Sequence, residues 1–126
     1  MKLNFAIICD TAFIDKNERL SIIQTFDEIK VRNFPTIHPR LTVVTSYSFD
    51  KSDQVGNTLE HGVKILDPED NKVGELAITA TVVDRKNNQF LSYFNGLRIN
   101  TSGDYSIVVS LNGKIYATLI LKISKE

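Results

Sequence analysis

Residues 103–123 carry the clearest alternation in the chain. Tyr105, Ile107, Val109 and Leu111 share one parity, and Ser106, Val108 and Ser110 the other. Beyond Asn112-Gly113, Ile115, Ala117, Leu119, Leu121 and Ile123 again share one parity. Period two on both sides of Asn-Gly predicts a hairpin closed by a two-residue type I′ turn. Both turn positions need φ > 0, and Asn and Gly tolerate it best.

The same period recurs upstream. Leu3, Phe5, Ile7 and Cys9 alternate with Asn4, Ala6 and Ile8, so this strand is expected to be covered on both faces. After a polar turn at 15–19, Leu20, Ile22, Gln24 and Phe26 alternate with Ser21, Ile23 and Thr25. Residues 27–31 stay extended, with a bend expected to carry the chain to another sheet. Pro35 and Pro39 make residues 33–40 the least regular stretch. Proline removes a ladder donor and holds its predecessor extended, so a loop across one end of the domain is predicted. Leu41, Val43, Thr45, Tyr47 and Phe49 form one face of a third long strand, followed by a polar loop at 50–57.

Leu59, His61, Val63 and Ile65 share a face of the next strand. A tight turn at 67–71 follows, with Pro68 fixing φ and Asp67 placed to accept backbone N–H groups. Leu76, Ile78, Ala80 and Val82 return, and residues 84–89 form another polar turn. Residues 90–99 read as a strand containing Asn95-Gly96, which fits either a bulge or a second turn. No segment has a helical period. Strands at spacings near ten residues, separated by Gly, Pro, Asn and Asp, predict an all-β sandwich or barrel. No linker or repeat divides the chain, so one domain over residues 1–126 is expected.

Composition narrows the function more than the fold. Lys plus Arg equal Asp plus Glu at 15 each. That balance lacks the basic excess on which phosphate binding depends, so nucleic acid is not expected as a partner. It also leaves little repulsion between copies, so a homo-oligomer is compatible with it. The single cysteine, Cys9, allows no internal disulfide and suits a reducing compartment. Met1-Lys2 and the apolar run to Cys9 outline a lipoprotein signal. The run is short, Asn4 interrupts it, and Ile8 stands where cleavage needs a small residue. A first strand of a cytoplasmic protein, with no membrane partner, is the expectation.

Two stretches together resemble a known family. One is Cys9-Asp10-Thr11-Ala12, a polar turn, the segment from Leu20 to Ile29, and then Phe34-Pro35 before the strand near Leu41. The other is Gly103-x-Tyr105 with the Asn-Gly hairpin. They resemble a family of small uncharacterised prokaryotic proteins, a domain of unknown function. The resemblance implies an immunoglobulin-like antiparallel β-sandwich of seven to nine strands filling nearly the whole chain. It brings no catalytic residues. Gln24 stands where that family is expected to carry glycine. A Gly-x-Tyr opening a late strand also occurs in many immunoglobulin-like domains, where the tyrosine hydroxyl returns to nearby backbone. Tyr105 is the candidate for that role.

Candidate chemistry is sparse. Cys9 lies on a patterned strand face, where free cysteine behaves as a small hydrophobe. His38 and His61 are the only imidazoles, and the sequence sets neither beside Cys9. No nucleophile elbow, phosphate loop or pair of histidines at ligand spacing occurs. The acidic loops Asp50-Lys51-Ser52-Asp53 and Asp67-Pro68-Glu69-Asp70-Asn71 carry oxygen ligands suited to calcium. The same residues also make turns, which is the favoured reading. No catalytic residue, metal or cofactor is therefore expected. Two classes of function remain. The first is a non-catalytic protein-binding or assembly module acting through end loops or an edge strand. The second is a small-ligand or carbohydrate-binding sandwich using exposed aromatics. The expected interaction surface is Phe34, His38 and Arg40 with Tyr93 and Arg98.

Overall fold

The computed structural model describes residues 1–50, 53, 55–82 and 87–126, and of Asn87 the backbone alone. The described residues form nine strands: β1 (Lys2–Ile14), β2 (Leu20–Thr25), β3 (Glu28–Val31), β4 (Thr36–Ser48), β5 (Thr58–Leu66), β6 (Lys72–Thr81), β7 (Asn87–Ile99), β8 (Gly103–Leu111) and β9 (Lys114–Lys125). They build two sheets, β2-β1-β4-β7 and β3-β9-β8-β5-β6. Neighbours are antiparallel except β3 and β9, which run parallel. The β4–β7 pair in one sheet and the β9-β8-β5-β6 order in the other match the B–E and G-F-C-C′ arrangement of a variable-type immunoglobulin sandwich.

One core joins the sheets. Leu41, Val43, Tyr47, Phe90 and Phe94 meet Val63, Ile65, Ile107, Val109, Leu121 and Ile123, all buried. The terminal hairpin supplies much of it, and its turn forms as predicted: Asn112 has φ 51 and Gly113 φ 81. Asn112 also ties the hairpin tip to β5. Its N–H donates to the Glu60 carbonyl, and its Oδ1 accepts the Glu60 N–H, both at 2.8 Å.

The corner before β8 is equally specific. The buried Tyr105 hydroxyl donates to the Thr101 carbonyl at 2.7 Å. Gly103 adopts φ +133, and a Cβ there would stand 2.6 Å from Pro68. The 67–71 turn thus packs on the corner. Asp67 Oδ1 holds that turn by accepting the N–H groups of Glu69 and Asn71, each at 2.9 Å.

Several expectations need correction. Thr36 to Arg40 belong to β4 rather than to a loop. β1 accompanies β4 only as far as the pair Cys9 and Thr42, so Pro39 removes no donor from that ladder. On the other side, the β4–β7 register passes from His38 and Leu97 to Arg40 and Asn95 without shifting. Asn95-Gly96 is therefore neither a turn nor a one-sided bulge. Gly96, at φ +77, lies across from Pro39 in this register, and there both strands invert their faces together. Phe90, Ser92 and Phe94 are buried before it, and Leu97 and Ile99 after it.

β1 also breaks its simple alternation. A register shift between Leu3 and Phe5 puts Leu3 and Ile8 with the main core. Cys9 goes to a second cluster with Ala12 and Val44, against Phe5, Leu20, Ile22 and Leu91. The strand is covered on both faces, with the parity of Leu3 reversed. The polar turn placed at 84–89 lies partly outside the described residues, and Asn87 to Gln89 open β7.

Gln24 has φ 55, a left-handed conformation that costs a side-chain-bearing residue more than glycine. Gln24→Gly is expected to leave stability unchanged or raise it by up to about 1 kcal/mol, whereas Gln24→Val lowers it by about 1 kcal/mol or more. Tyr105→Phe removes the corner hydrogen bond and should cost about 1 kcal/mol. Thermal melts check all three, with about 3–6 °C expected per kcal/mol. An unchanged melt for Tyr105→Phe contradicts the structural role assigned to the corner.

Candidate functional site

The two sides of the sandwich are finished differently. On one side β6 approaches β7, and a Cβ on Gly74 would lie 3.3 Å from the Phe94 ring and 3.5 Å from Leu97. On the other side β1 and β9 are only half covered. β2 pairs with β1 from Cys9 to Ile14, and β3 pairs with β9 from Lys122 to Lys125. The chain crosses between the sheets at Phe26-Asp27. The Phe26 N–H donates to the Ile8 carbonyl at 3.1 Å, and the Lys122 N–H to the Asp27 carbonyl at 2.9 Å. Among the described residues, the first half of β1 is therefore laddered only to β4, and Lys114 to Leu121 of β9 only to β8.

Between these half-bare strands lies a cleft of about 420 Å³, lined by Ala6, Ile7, Ile8, Thr25, Phe26, Asp27, Leu119 and Ile120. The β9 edge beside it, Ile-Tyr-Ala-Thr-Leu-Ile-Leu, carries no charge and no proline between Lys114 and Lys122. Ile115 is 62% and Ile120 52% exposed. Native edges are usually blunted by charge, proline or a bulge, because unpaired N–H and C=O groups template a further strand. This stretch has neither charge nor proline along its open side, and its one bulge, at Tyr116 where the β8–β9 register shifts, is not part of the cleft lining.

The five residues expected from the sequence divide. Phe34 is half-buried against the main core. His38 is half-buried, edge-on to Phe26 with ring centroids 5.9 Å apart, and its desolvation lowers its pKa. Arg40 and Tyr93 both reach the second half of β1. The Arg40 guanidinium pairs with Asp10 at 2.5 Å, and the Tyr93 hydroxyl donates to the Ala12 carbonyl at 2.6 Å. Arg98 stands apart, beside Pro35, Thr36 and Ile37, with its Nε on Asn100 Oδ1 at 3.0 Å. The structure thus brings Arg40 and Tyr93 to one strand and turns Phe34 and His38 inward.

Ala6, Leu119 and Ile120 are not among the residues expected from the sequence. The alternation that predicts the hairpin gives the faces of β9 and not whether one of its flanks lacks a neighbour. The usable signal was the uncharged run between Lys114 and Lys122, with a lysine at each end where flanking charges guard an aggregation-prone strand.

The reactive residue types are spent on structure. The Cys9 thiol is fully buried, and its pKa is raised by burial and by Asp10. His61 is fully buried, stacked on Phe90 at 4.4 Å, with Nε2 in a 3.0 Å hydrogen bond to Thr45 Oγ1. Its pKa is pushed down to about 4 by desolvation. Tyr47 meets the same ring edge-on, and burial raises its pKa to about 12. In the acidic loops, Asp67 is occupied by its turn, and Asp50 and Asp53 contact the Met1 amine at 3.0 and 3.4 Å. Lys51 and Ser52 of the first loop lie outside the described residues. Among the described residues no helix is long and apolar enough to cross a membrane.

A family of unknown function, DUF6941, matches residues 4–124, and the chain belongs to that family. No curated protein matches the chain.

The buried imidazole gives stability a pH dependence. An unfolded histidine binds its proton near pH 6.5, and His61 in the fold only near 4. Between those values the unfolded chain holds more protons, so stability falls as the pH is lowered through the window, by about 3 kcal/mol in all. Denaturant melts from pH 7 to pH 4 should show this loss, and His61→Phe should flatten the slope. A slope equal in both proteins contradicts a neutral buried imidazole.

Proposed function

We propose that this member of a family of unknown function is a non-catalytic protein-recognition module of a prokaryotic cytoplasm, acting by strand addition at the open side of its sandwich. The supporting observation is the pairing of β9: laddered on both sides at Lys122 and Ile123, where β3 joins, and to β8 alone from Lys114 to Leu121. An extended segment laid along that edge would gain a row of backbone hydrogen bonds, each with a net value of about 0.5–1.5 kcal/mol. Its alternate side chains would enter the apolar cleft and supply specificity. Cys9 and His61 support the absence of catalysis, because each is buried in packing contacts that leave no approach for a substrate. A single buried thiol agrees with a reducing compartment.

Ile120 offers a clean perturbation, since it is half exposed and a charge there should block the edge without unfolding the core. Affinity capture from extracts of the producing cells should recover a partner with the native protein and lose it with Ile120→Lys, at equal thermal stability. Equal capture by both proteins, or none by either, contradicts the reading.

A further inference from the structure

Resting on that reading, we infer the chemistry of the partner: an extended, otherwise uncharged strand with aliphatic residues at alternate positions and a basic residue at its N-terminal end, added antiparallel to β9. Four observations carry this. First, β9 is the better template of the two half-bare strands. Each carries one register shift, β1 between Leu3 and Phe5 and β9 at Tyr116, and the regular free stretch beyond the shift is longer in β9, Ala117 to Leu121 against Phe5 to Ile8. Second, the walls facing an added strand are Ala6, Ile8, Phe26, Leu119 and Ile120, so a charge in its middle would be buried without a partner. A cleft of about 420 Å³ takes aliphatic side chains from alternate residues of one strand.

Third, Asp27 is the one ionisable residue of the cleft lining, and it stands where β9 passes from open edge to β3 pairing. Glu28, the next residue, aligns with Lys122 across the β3–β9 ladder. A strand antiparallel to β9 begins at that end, so a basic residue at its start meets Asp27. Antiparallel pairing is also somewhat the more stable ladder.

Fourth, a second copy fits poorly. Two β9 edges paired about a two-fold axis at Thr118 would set Lys114 of each copy opposite Lys122 of the other, and like charges directly opposed destabilise a ladder. Moving the axis to avoid this shortens the uncharged overlap.

The probe is a capped six-residue peptide, Lys followed by alternating Val and Thr, titrated into the isotopically labelled protein and followed by NMR. Shifts should concentrate at Ala6, Leu119, Ile120 and Asp27, with a Kd of about 0.1–1 mM. Replacing the peptide Lys with Glu, or using Asp27→Asn, should weaken binding about threefold or more. Ile120→Lys, or N-methylation of the peptide amides that face β9, should weaken it tenfold or more. No saturable binding, or binding indifferent to N-methylation, overturns the inference; so does equal affinity for the Glu-led peptide. A dimer seen by ultracentrifugation and lost in Ile120→Lys also overturns it, in favour of a second copy. If the peptide fails while Ile120→Lys still abolishes cellular capture, the partner chemistry is wrong and the recognition edge stands.

Discussion

A strand has backbone donors and acceptors on both flanks, and every flank must be paired, covered or guarded. This constraint orders the whole molecule. β8 and β5 are satisfied by sheet neighbours on each side, and β4 is over its second half. β6 and β7 bound the sandwich where its two sheets approach each other, with Gly74 leaving room for the Phe94 ring. On the opposite side the chain divides its cover between two short strands, β2 on one sheet and β3 on the other, joined at Phe26-Asp27. Two half-length covers on opposite sheets leave two half-length gaps, and the cleft between β1 and β9 is their common result.

The rest of the fold holds that geometry. The Asn112-Gly113 turn fixes the register of β8 against β9 and is pinned to β5 through Glu60. The Tyr105 hydroxyl and the Pro68–Gly103 contact fix where β8 begins. Because β9 is locked from β8 and from the core, its outer flank from Ala117 to Leu121, past the bulge at Tyr116, is presented as an ordered edge. A pre-formed edge lets a binding segment carry the whole ordering cost itself, which favours recognition of a strand already extended or short.

The local features were legible because their causes lie within a few residues. Asn112-Gly113 needs only its own φ angles, Asp67 only the turn it holds, and Tyr105 only a carbonyl four residues back. Gln24 was legible as a departure from a family glycine, and its positive φ gives that departure a physical meaning. The strand identity of Thr36 to Arg40 was hidden, because Pro39 is tolerable only where β1 has already left and Gly96 lies across from it. Those facts join residues far apart in sequence. The same holds for the Leu3–Phe5 shift that reverses the faces of β1. The candidate site was the least legible, since an unpaired flank is a property of which strands end early. The expected surface residues were chosen for side-chain type, and packing or intramolecular hydrogen bonds absorb Phe34, His38 and Tyr93.

The central claim is that one flank of β9 is unpaired from Ile115 to Leu121 and paired beyond it. Residue-resolved amide hydrogen exchange reads this directly. The account predicts alternating fast and slow amides from Ala117 to Leu121, past the bulge at Tyr116, as successive N–H groups face the open cleft and then β8, and protection of both Lys122 and Ile123, where β3 joins while β8 still pairs. Uniform protection across Ala117 to Leu121 would show that flank to be covered, and would contradict the account.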